Sequence, residues 1–376
     1  MKSKNRKREI VIIAPLPNLS ERVRLNKLVH LLQNFDSLDI SFWGWDRGIN
    51  SGKKDFEFVN KKIILKGGGE GNKKLIFWYL FWIIKVFIHV LFGRNRHYYC
   101  LGFESAFPVA VVNLLAKRKF IYDNADNISK AYNWPKVIYK IIQCAERFVA
   151  RRAFIHIVPG ESRIDRIEEN TKIVPNTPAS FLLDRAKIIA TQKEYHRNKK
   201  ILTVYINGYL TKSRGIEQIY KAINRCNKDK IKVIVAGYLR CKYAEKLVEL
   251  PNVEYYGVLS NEEALALYFN SHLCITYYDP TIEINQLAEP NKWGDCIATQ
   301  TPFVTNKEIL TAKPYIEKQI CWAVPYNDYK VLADLLNRLA DNFDEWYQYM
   351  NNIKKMSYIP WDKAMSYLLH DFVIKN

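Results

Sequence analysis

The stretch 207–215 reads Asn-Gly-Tyr-Leu-Thr-Lys-Ser-Arg-Gly, with Gly208 and Gly215 at its bends and the cations Lys212 and Arg214 between them. It follows an apolar run at 201–207 and opens a helical pattern over 215–227. A phosphate is held by backbone N–H groups, a helix N-terminus and fixed positive charge, and this stretch offers all three. Taken alone it also reads as an ordinary turn, since glycine and lysine are common there.

A second polar loop, 278–302, adds to the first. It carries Glu283 and Glu289, then Pro290-Asn291-Lys292, then Asp295 in the opening turns of a helix. A carboxylate at that place can accept both hydroxyls of a ribose, while Lys292 and the helix amides face phosphates. Pro290 and Asp295 would equally serve to start and cap a helix.

Strands and helices must position these loops. Residues 9–14 form an apolar first strand, 20–34 a helix with Ser20 as its expected N-cap, and 39–45 an aromatic second strand. Strand, helix, strand in that length is one βαβ unit and predicts a parallel sheet. Further strands are expected at 98–103, 119–123 and 154–158, with helices at 105–117 and 135–152, and 172–176 closes this half. The polar, basic stretch 177–200 reads as an interdomain connection. The alternation then restarts with strands at 201–207, 232–237, 253–257, 273–278 and 302–306, separated by helices at 215–227, 241–249, 260–270 and from about 291. Two such runs predict an α/β chain of two Rossmann-like, doubly wound domains facing each other. Ligands in such sheets sit outside the carboxyl ends of strands, where both polar loops fall.

The 376 residues are enough for two domains of ordinary size. A net charge of +19 implies anionic partners. No zinc-finger spacing, RNA-recognition signature or heptad zipper accompanies it, so nucleic acid is not the expected partner. The seven cysteines are scattered without a CxxC, as in a cytoplasmic protein with reduced thiols. The basic N-terminus reads as a solvated tail feeding the first strand, not as a signal peptide. No Asp-x-Asp occurs and no two of the seven histidines pair at ligand spacing, so no metal is expected.

Residues 75–92, Leu-Ile-Phe-Trp-Tyr-Leu-Phe-Trp-Ile-Ile-Lys-Val-Phe-Ile-His-Val-Leu-Phe, are the most apolar stretch, bracketed by Lys73-Lys74 and by Arg94-Asn-Arg96. Lys85 and His89 share one helical face beside a very hydrophobic remainder. The preferred reading is an interfacial helix, so that 73–99 meets an anionic membrane surface. A helix packed on the first sheet and a true span are the alternatives.

The second-half motifs, taken in order, resemble the donor domain of the family-4 retaining glycosyltransferases, which have the GT-B fold. Gly208 to Gly215 matches that family's Gly-x-Leu…Lys/Arg-Gly loop, 233–237 its strand ending in Gly, and Asn252 to Gly257 its Asn-Val-x-x-x-Gly strand. Asp295-Cys-Ile-Ala-Thr-Gln-Thr-Pro302-Phe-Val304 matches the closing element. The resemblance covers residues 200–306 well and the first half loosely, through the Arg22/Arg24 helix, the Tyr122-Asp-Asn-Ala-Asp126 strand end and the Pro175-Asn176 element.

The resemblance implies an acceptor-binding domain at 1–180, a donor-binding domain at 181–345 facing it across a cleft, and C-terminal helices at 346–376 crossing back, with Trp346 and Trp361 as anchors. Arg214 would neutralise the donor diphosphate with Lys292 or Lys212 beside it, next to Gly208 and Asn291. Asp295 would hold the ribose, backbone near Gly257 and Val258 would read the base, and Glu283 or Glu289 would approach the sugar. Three positions depart from the pattern. Tyr209 stands where an Arg is common, Ala125 where a His is frequent (leaving Asp126 and Asn124 as polar candidates), and Pro15-Leu-Pro-Asn18 replaces a Gly-rich loop. The implied activity is retaining transfer, without cofactor or metal, from a nucleotide-diphosphate sugar to a membrane-associated glycan or lipid-linked acceptor. The leaving phosphate would take the acceptor's proton. A catalytically silent GT-B protein that binds glycan or nucleotide as an assembly partner is the alternative, and the oligomeric state stays open.

Overall fold

The computed structural model describes residues 8–35, 38–48, 55–69, 75–95, 97–132, 134–164, 166–193, 197 and 200–374. The chain forms two compact units, Met1–Val174 with Asp362–Asn376, and Pro175–Trp361.

In the first unit, β1 (Arg8–Ile13), β2 (Leu38–Asp46), β3 (Asn60–Lys66), β4 (His97–Leu101), β5 (Lys119–Asp123), β6 (Ile155–Val158) and β7 (Thr171–Ile173) form one sheet in the order β3-β2-β1-β4-β5-β6-β7. Every pairing is parallel, as the βαβ pattern predicted. β1, β4 and β5 are apolar on both faces because helices cover both. β3 was not anticipated: it lies at an edge, and its opening Asn60-Lys61-Lys62 is exposed and polar. The helices are α1 (Val23–Leu32), α2 (Leu75–Phe92), α3 (Phe103–Val112), α4 (Ile128–Ala131) and α5 (Lys136–Arg152). Ser20 does not cap α1; it sits in a 3-10 turn, Leu19–Glu21, and Arg22 occupies the cap position.

Helix α2 buries a single stripe, Trp82, Val86 and Val90, spaced one turn apart, against the sheet and α3. Its other face leaves Ile76, Phe77, Leu80, Phe81, Ile84, Ile88 and Phe92 exposed. By length and composition alone it is apolar enough to cross a membrane. Lys73, Lys74 and Arg96, expected to flank it, lie outside the described residues.

The second unit opens with α6 (Ser180–Gln192), which corrects the reading of 177–200 as a connection. Ala179, Leu182, Leu183, Ala186 and Ala190 are buried in this unit's core, and Arg197 donates to Ser271 O at 2.8 Å and Thr301 Oγ1 at 2.9 Å. The segment misleads because its buried side is mostly alanine. Strands β8 (Leu202–Leu210), β9 (Ile231–Leu239), β10 (Val253–Tyr255), β11 (Leu273–Thr276), β12 (Phe303–Asn306) and β13 (Cys321–Val324) form a parallel sheet in the order β10-β9-β8-β11-β12-β13. With them come α7 (Ile216–Arg225), α8 (Lys242–Val248), α9 (Asn261–Asn270), α10 (Glu283–Gln286), α11 (Asn291–Ala298), α12 (Lys313–Glu317), α13 (Tyr329–Asp341) and α14 (Asp344–Lys354).

The C-terminal helices divide. α14 stays in the second unit, where Trp346 is buried and its Nε1 donates to His272 O at 2.7 Å. Only the last helix, α15 (Trp361–Ile374), reaches the first unit, from Asp362 onward. There Phe372 packs edge-on to His97, and its carbonyl accepts from Lys119 Nζ at 2.8 Å.

Candidate functional site

Both sheets reverse direction once: β1 lies between β2 and β4, and β8 lies between β9 and β11. The carboxyl ends flanking such a reversal open a crevice, because the connections leave in opposite directions. In the second unit those ends carry the two polar loops singled out in the sequence.

The loops are tied together there. The amide of Asp279, after β11, donates to Ser213 O in the turn after β8 at 2.9 Å. Arg214 lays its guanidinium 4.3 Å over the Tyr278 ring, and the Lys212 carbonyl accepts from Tyr326 Oη at 3.4 Å. Gly208 and Gly237 are opposite each other in the β8–β9 register, both at positive φ (96° and 131°). A Cβ on Gly237 would stand 2.0 Å from Gly208 O, so no side chain fits, and Gly237 N donates to Gly257 O at 2.7 Å. This packing brings the ends of β8 and β9 against Gly257, with bare backbone along the rim. Val258, the next residue, is exposed.

Helix α11 presents Lys292 to that rim: its Nζ would be 3.3 Å from a Cβ on Gly208. The helix is pinned from three sides. Trp293 Nε1 donates to Thr276 Oγ1 at 2.9 Å, Asn176 Nδ2 donates to Glu289 O at 2.6 Å, and Gly294 abuts the backbone of Asn176 and Thr177. Asn291 is exposed and Asp295 half-buried on the same helix. Asp295 is one of the groups whose charge, after burial itself, raises the Tyr268 phenol well above its usual range, and Tyr268 shares hydrogen bonds with Asn207 at the end of β8. Glu283 is exposed as the first residue of the short α10. Glu289 is half-buried, and its charge adds to burial in pushing the Tyr315 phenol up to about 12. Tyr209 stacks on Tyr238 with ring centroids 4.9 Å apart.

In the first unit, Asp126 is largely exposed and pairs with Arg163 at 3.0 Å. Beside it stand two groups to which the sequence reading gave no role. Asp123, at the end of β5, is fully buried and takes both Arg24 Nε (2.6 and 2.8 Å) and the Tyr99 hydroxyl. Burial pulls the Arg24 pKa down, but Asp123 and Tyr99 more than offset it and leave it raised. The second group is Glu104, in the first turn of α3 after β4. Burial pushes its carboxyl up to about 7, against the lowering effects of its own backbone amide, Arg47 and Arg22, while Asp126 adds to the rise. Glu104 falls in no family motif, whereas Asp123 and Arg24 lie in the strand end and the helix that carry the loose first-half resemblance. A signal existed for Glu104, an acid directly after an apolar strand. For Asp123 the stretch was marked but not its pairing, because its partner lies 99 positions away.

Chemically, the second unit offers the cations Arg214 and Lys292, glycine backbone and a carboxylate-bearing helix at one sheet end. Those are the parts of a nucleoside-diphosphate site. Among the described residues, no group of three or more His, Cys, Asp or Glu is placed to hold a metal ion.

No family model matches the chain, and neither does any curated protein. Solved structures do. Sucrose-phosphate synthase from Thermosynechococcus elongatus superposes with a TM-score of 0.65 at 12% identity, over 98% of this chain and 100% of that one. HepE of Anabaena, in complex with UDP and glucose, gives 0.63 at 13% identity over 96% and 99%. MnaA of S. aureus with UDP gives 0.63 at 12% identity over 97% and 96%. At such identities what is shared is the fold. The chain is accordingly a GT-B protein of two Rossmann-like α/β units, the architecture it shares with those three structures.

Proposed function

We propose that the chain is a retaining glycosyltransferase. It moves a sugar from a nucleotide-diphosphate donor to a membrane-associated glycan or lipid-linked acceptor, in surface polysaccharide or lipopolysaccharide-type synthesis. The observation that carries this reading is the meeting of Lys292 with the Gly208 backbone at the β8/β11 reversal, where Ser213 and Asp279 join the Arg214 turn to the second loop. UDP in the HepE and MnaA structures supports a nucleotide donor.

In this reading Arg214, Lys292 and Lys212 neutralise the diphosphate as charge develops on it, so that no metal is required. Asp295 accepts from the ribose hydroxyls, the backbone at Gly257 and Val258 meets the base, and Glu289 or Glu283 approaches the sugar. Asn291 sits beside Lys292 at the start of α11. The leaving phosphate takes the acceptor hydroxyl's proton, and Asp126 serves on the acceptor side. The exposed face of α2 supports docking at the cytoplasmic face of a membrane, with its rings and aliphatics in the acyl boundary and Lys85 near the headgroups.

A panel of nucleotide sugars tested by thermal shift checks the donor site, since a ligand of the native state raises the melting temperature. At least one is expected to stabilise the protein and to be consumed when lipid-linked glycan is added, with the anomeric configuration kept in the product. Stabilisation without consumption would favour the silent assembly partner; no stabilisation by any donor would end the transferase reading.

A further inference from the structure

A pocket of about 410 Å³, open to solvent, lies between α5 and the sheet of the first unit. It runs from Asn124, just past β5, to Glu168, just before β7. In a parallel sheet those are opposite strand ends, so the pocket follows the sheet face and is not the crevice at the β1/β4 reversal. Two buried polar atoms on its wall lack partners. Asn124 and His156 are each 2% exposed, and neither Asn124 Oδ1 nor His156 Nε2 makes a hydrogen bond. The rest of both side chains is fixed. Asn124 Nδ2 donates to Asn127 Oδ1 at 3.1 Å, and the His156 ring stacks on Tyr122 with centroids 5.1 Å apart.

The hydrogen-bond inventory selects the ligand. His156 Nδ1 stands 3.0 Å from Thr171 Oγ1, which already accepts from the Glu168 amide at 3.2 Å. The one proton of that hydroxyl then goes to Nδ1 and leaves the ring proton on Nε2. Burial lowers the His156 pKa to about 4, so the ring is neutral near pH 7. The buried end of the pocket therefore offers one acceptor, one donor and no net charge, and a hydroxyl satisfies both. Its outer end is cationic. Arg147 and Arg166 are exposed pocket residues, and among the described residues neither makes an ion pair or hydrogen bond. The carboxylates beside them are engaged: Glu146 takes the Ser129 amide and hydroxyl at 3.4 and 2.6 Å, and Glu168 pairs with Arg151 at 3.0 Å. Two unpaired guanidinium groups attract a phosphate and repel a cation. The size is near the lower end of small-molecule sites, roughly 300–1,000 Å³, and favours a short chain.

We propose that this pocket binds a short polyol joined to a phosphate, with hydroxyls at Asn124 and His156 and the phosphate at Arg147 and Arg166. Free glycerol phosphate and the headgroup of a phosphoglycerol lipid share that chemistry. The pocket belongs to the first unit and the donor loops to the second, so the site stands whether or not the chain transfers sugar.

Titration calorimetry on the full chain tests it, with glycerol 3-phosphate, glycerol, inorganic phosphate and dihexanoyl phosphatidylglycerol below its micelle concentration as probes. Saturable binding of glycerol 3-phosphate or of the lipid is expected, at least tenfold tighter than that of glycerol or inorganic phosphate. Tighter binding of glycerol 3-phosphate would support the site with a free metabolite as its source, and tighter binding of the lipid would support it with a headgroup. Arg147→Gln with Arg166→Gln changes two exposed positions and is expected to weaken binding at least tenfold at an unchanged melting temperature. Because the lipid can also meet α2, only the affinity lost in that double variant counts toward the pocket. Asn124→Leu is expected to remove the preference over inorganic phosphate. Inorganic phosphate bound as tightly as the phosphopolyols would reduce the site to a cationic patch and overturn the proposal. So would wild-type affinity in the double variant, or no saturable binding of either phosphopolyol.

Discussion

Lys292 Nζ stands 3.3 Å from where a Cβ of Gly208 would be, bringing the first turn of α11 to the end of β8, 84 positions earlier in the chain. Its ammonium is thereby held over backbone that has no side chain to screen it. Lys292→Ala is expected to weaken UDP binding about tenfold, or about 1.4 kcal/mol. Gly208→Ala should do at least as much, since it adds backbone strain at φ 96° to the crowding of Lys292. Titration calorimetry reads both; wild-type affinity in Lys292→Ala would take the lysine out of the site.

Gly294 lets α11 come that close. A Cβ there would lie 2.2 Å from Asn176 O, which is backbone and cannot swing aside. Gly294→Ala is predicted to destabilise the second unit by about 1–3 kcal/mol, the usual cost of overpacking, and to weaken UDP binding as α11 shifts. Urea unfolding followed by tryptophan fluorescence would show it. An unchanged midpoint would mean that the Asn176 segment yields freely.

The buried pair Arg24–Asp123 supports the loop ends of the first sheet. Arg24→Met leaves Asp123 charged, buried and held by Tyr99 alone of its two described partners, and is predicted to cost about 3–5 kcal/mol. The double change Arg24→Met with Asp123→Leu should recover part of that loss. If the double variant is no more stable than the single one, the cost does not come from the stranded carboxylate.

Two groups in the first unit should make stability depend on pH with opposite signs. Burial lowers the His156 pKa to about 4, so between that value and 6.5 the unfolded chain binds a proton that the folded one does not. Its contribution is complete above pH 6.5 and is lost as pH falls toward 4. Glu104 is raised to about 7, so its folded form holds an extra proton between 4.5 and 7, and that contribution is lost as pH rises through the window. The two slopes oppose each other in the wild type. Glu104→Gln removes one of them, and its stability relative to wild type should rise between pH 5 and pH 8 by on the order of 2 kcal/mol. Denaturant unfolding at the two pH values checks this; a pH-independent difference would refute the shift at Glu104.

The bare face of α2 predicts binding to lipid. Phe77→Ser, Leu80→Ser and Phe81→Ser together should abolish co-sedimentation with phosphatidylglycerol vesicles while leaving the melting temperature within a few degrees, because all three side chains point outward. High salt should weaken the wild-type binding only in part, since the apolar share is not screened. Equal partitioning of variant and wild type would return α2 to a role inside the fold.

The sequence by itself determined the α/β alternation and the two loops that carry Arg214 and Lys292. These depend on local facts: apolar runs of strand length, glycines at bends, and cations beside helix starts. Edge strand β3 and helix α6 were not legible, since a polar edge and an alanine-lined face leave little periodic signal. Nor could Ser20 be denied its expected cap, because the competing 3-10 turn depends on how the chain leaves β1. The tertiary structure alone decided that Trp346 stays with the second sheet while Phe372 packs on the first. It alone brought Arg24 to Asp123 and buried Glu104 enough to raise its carboxyl. Such pairings join residues tens of positions apart, and their energies come from burial and charge, which exist only once the sheets have assembled.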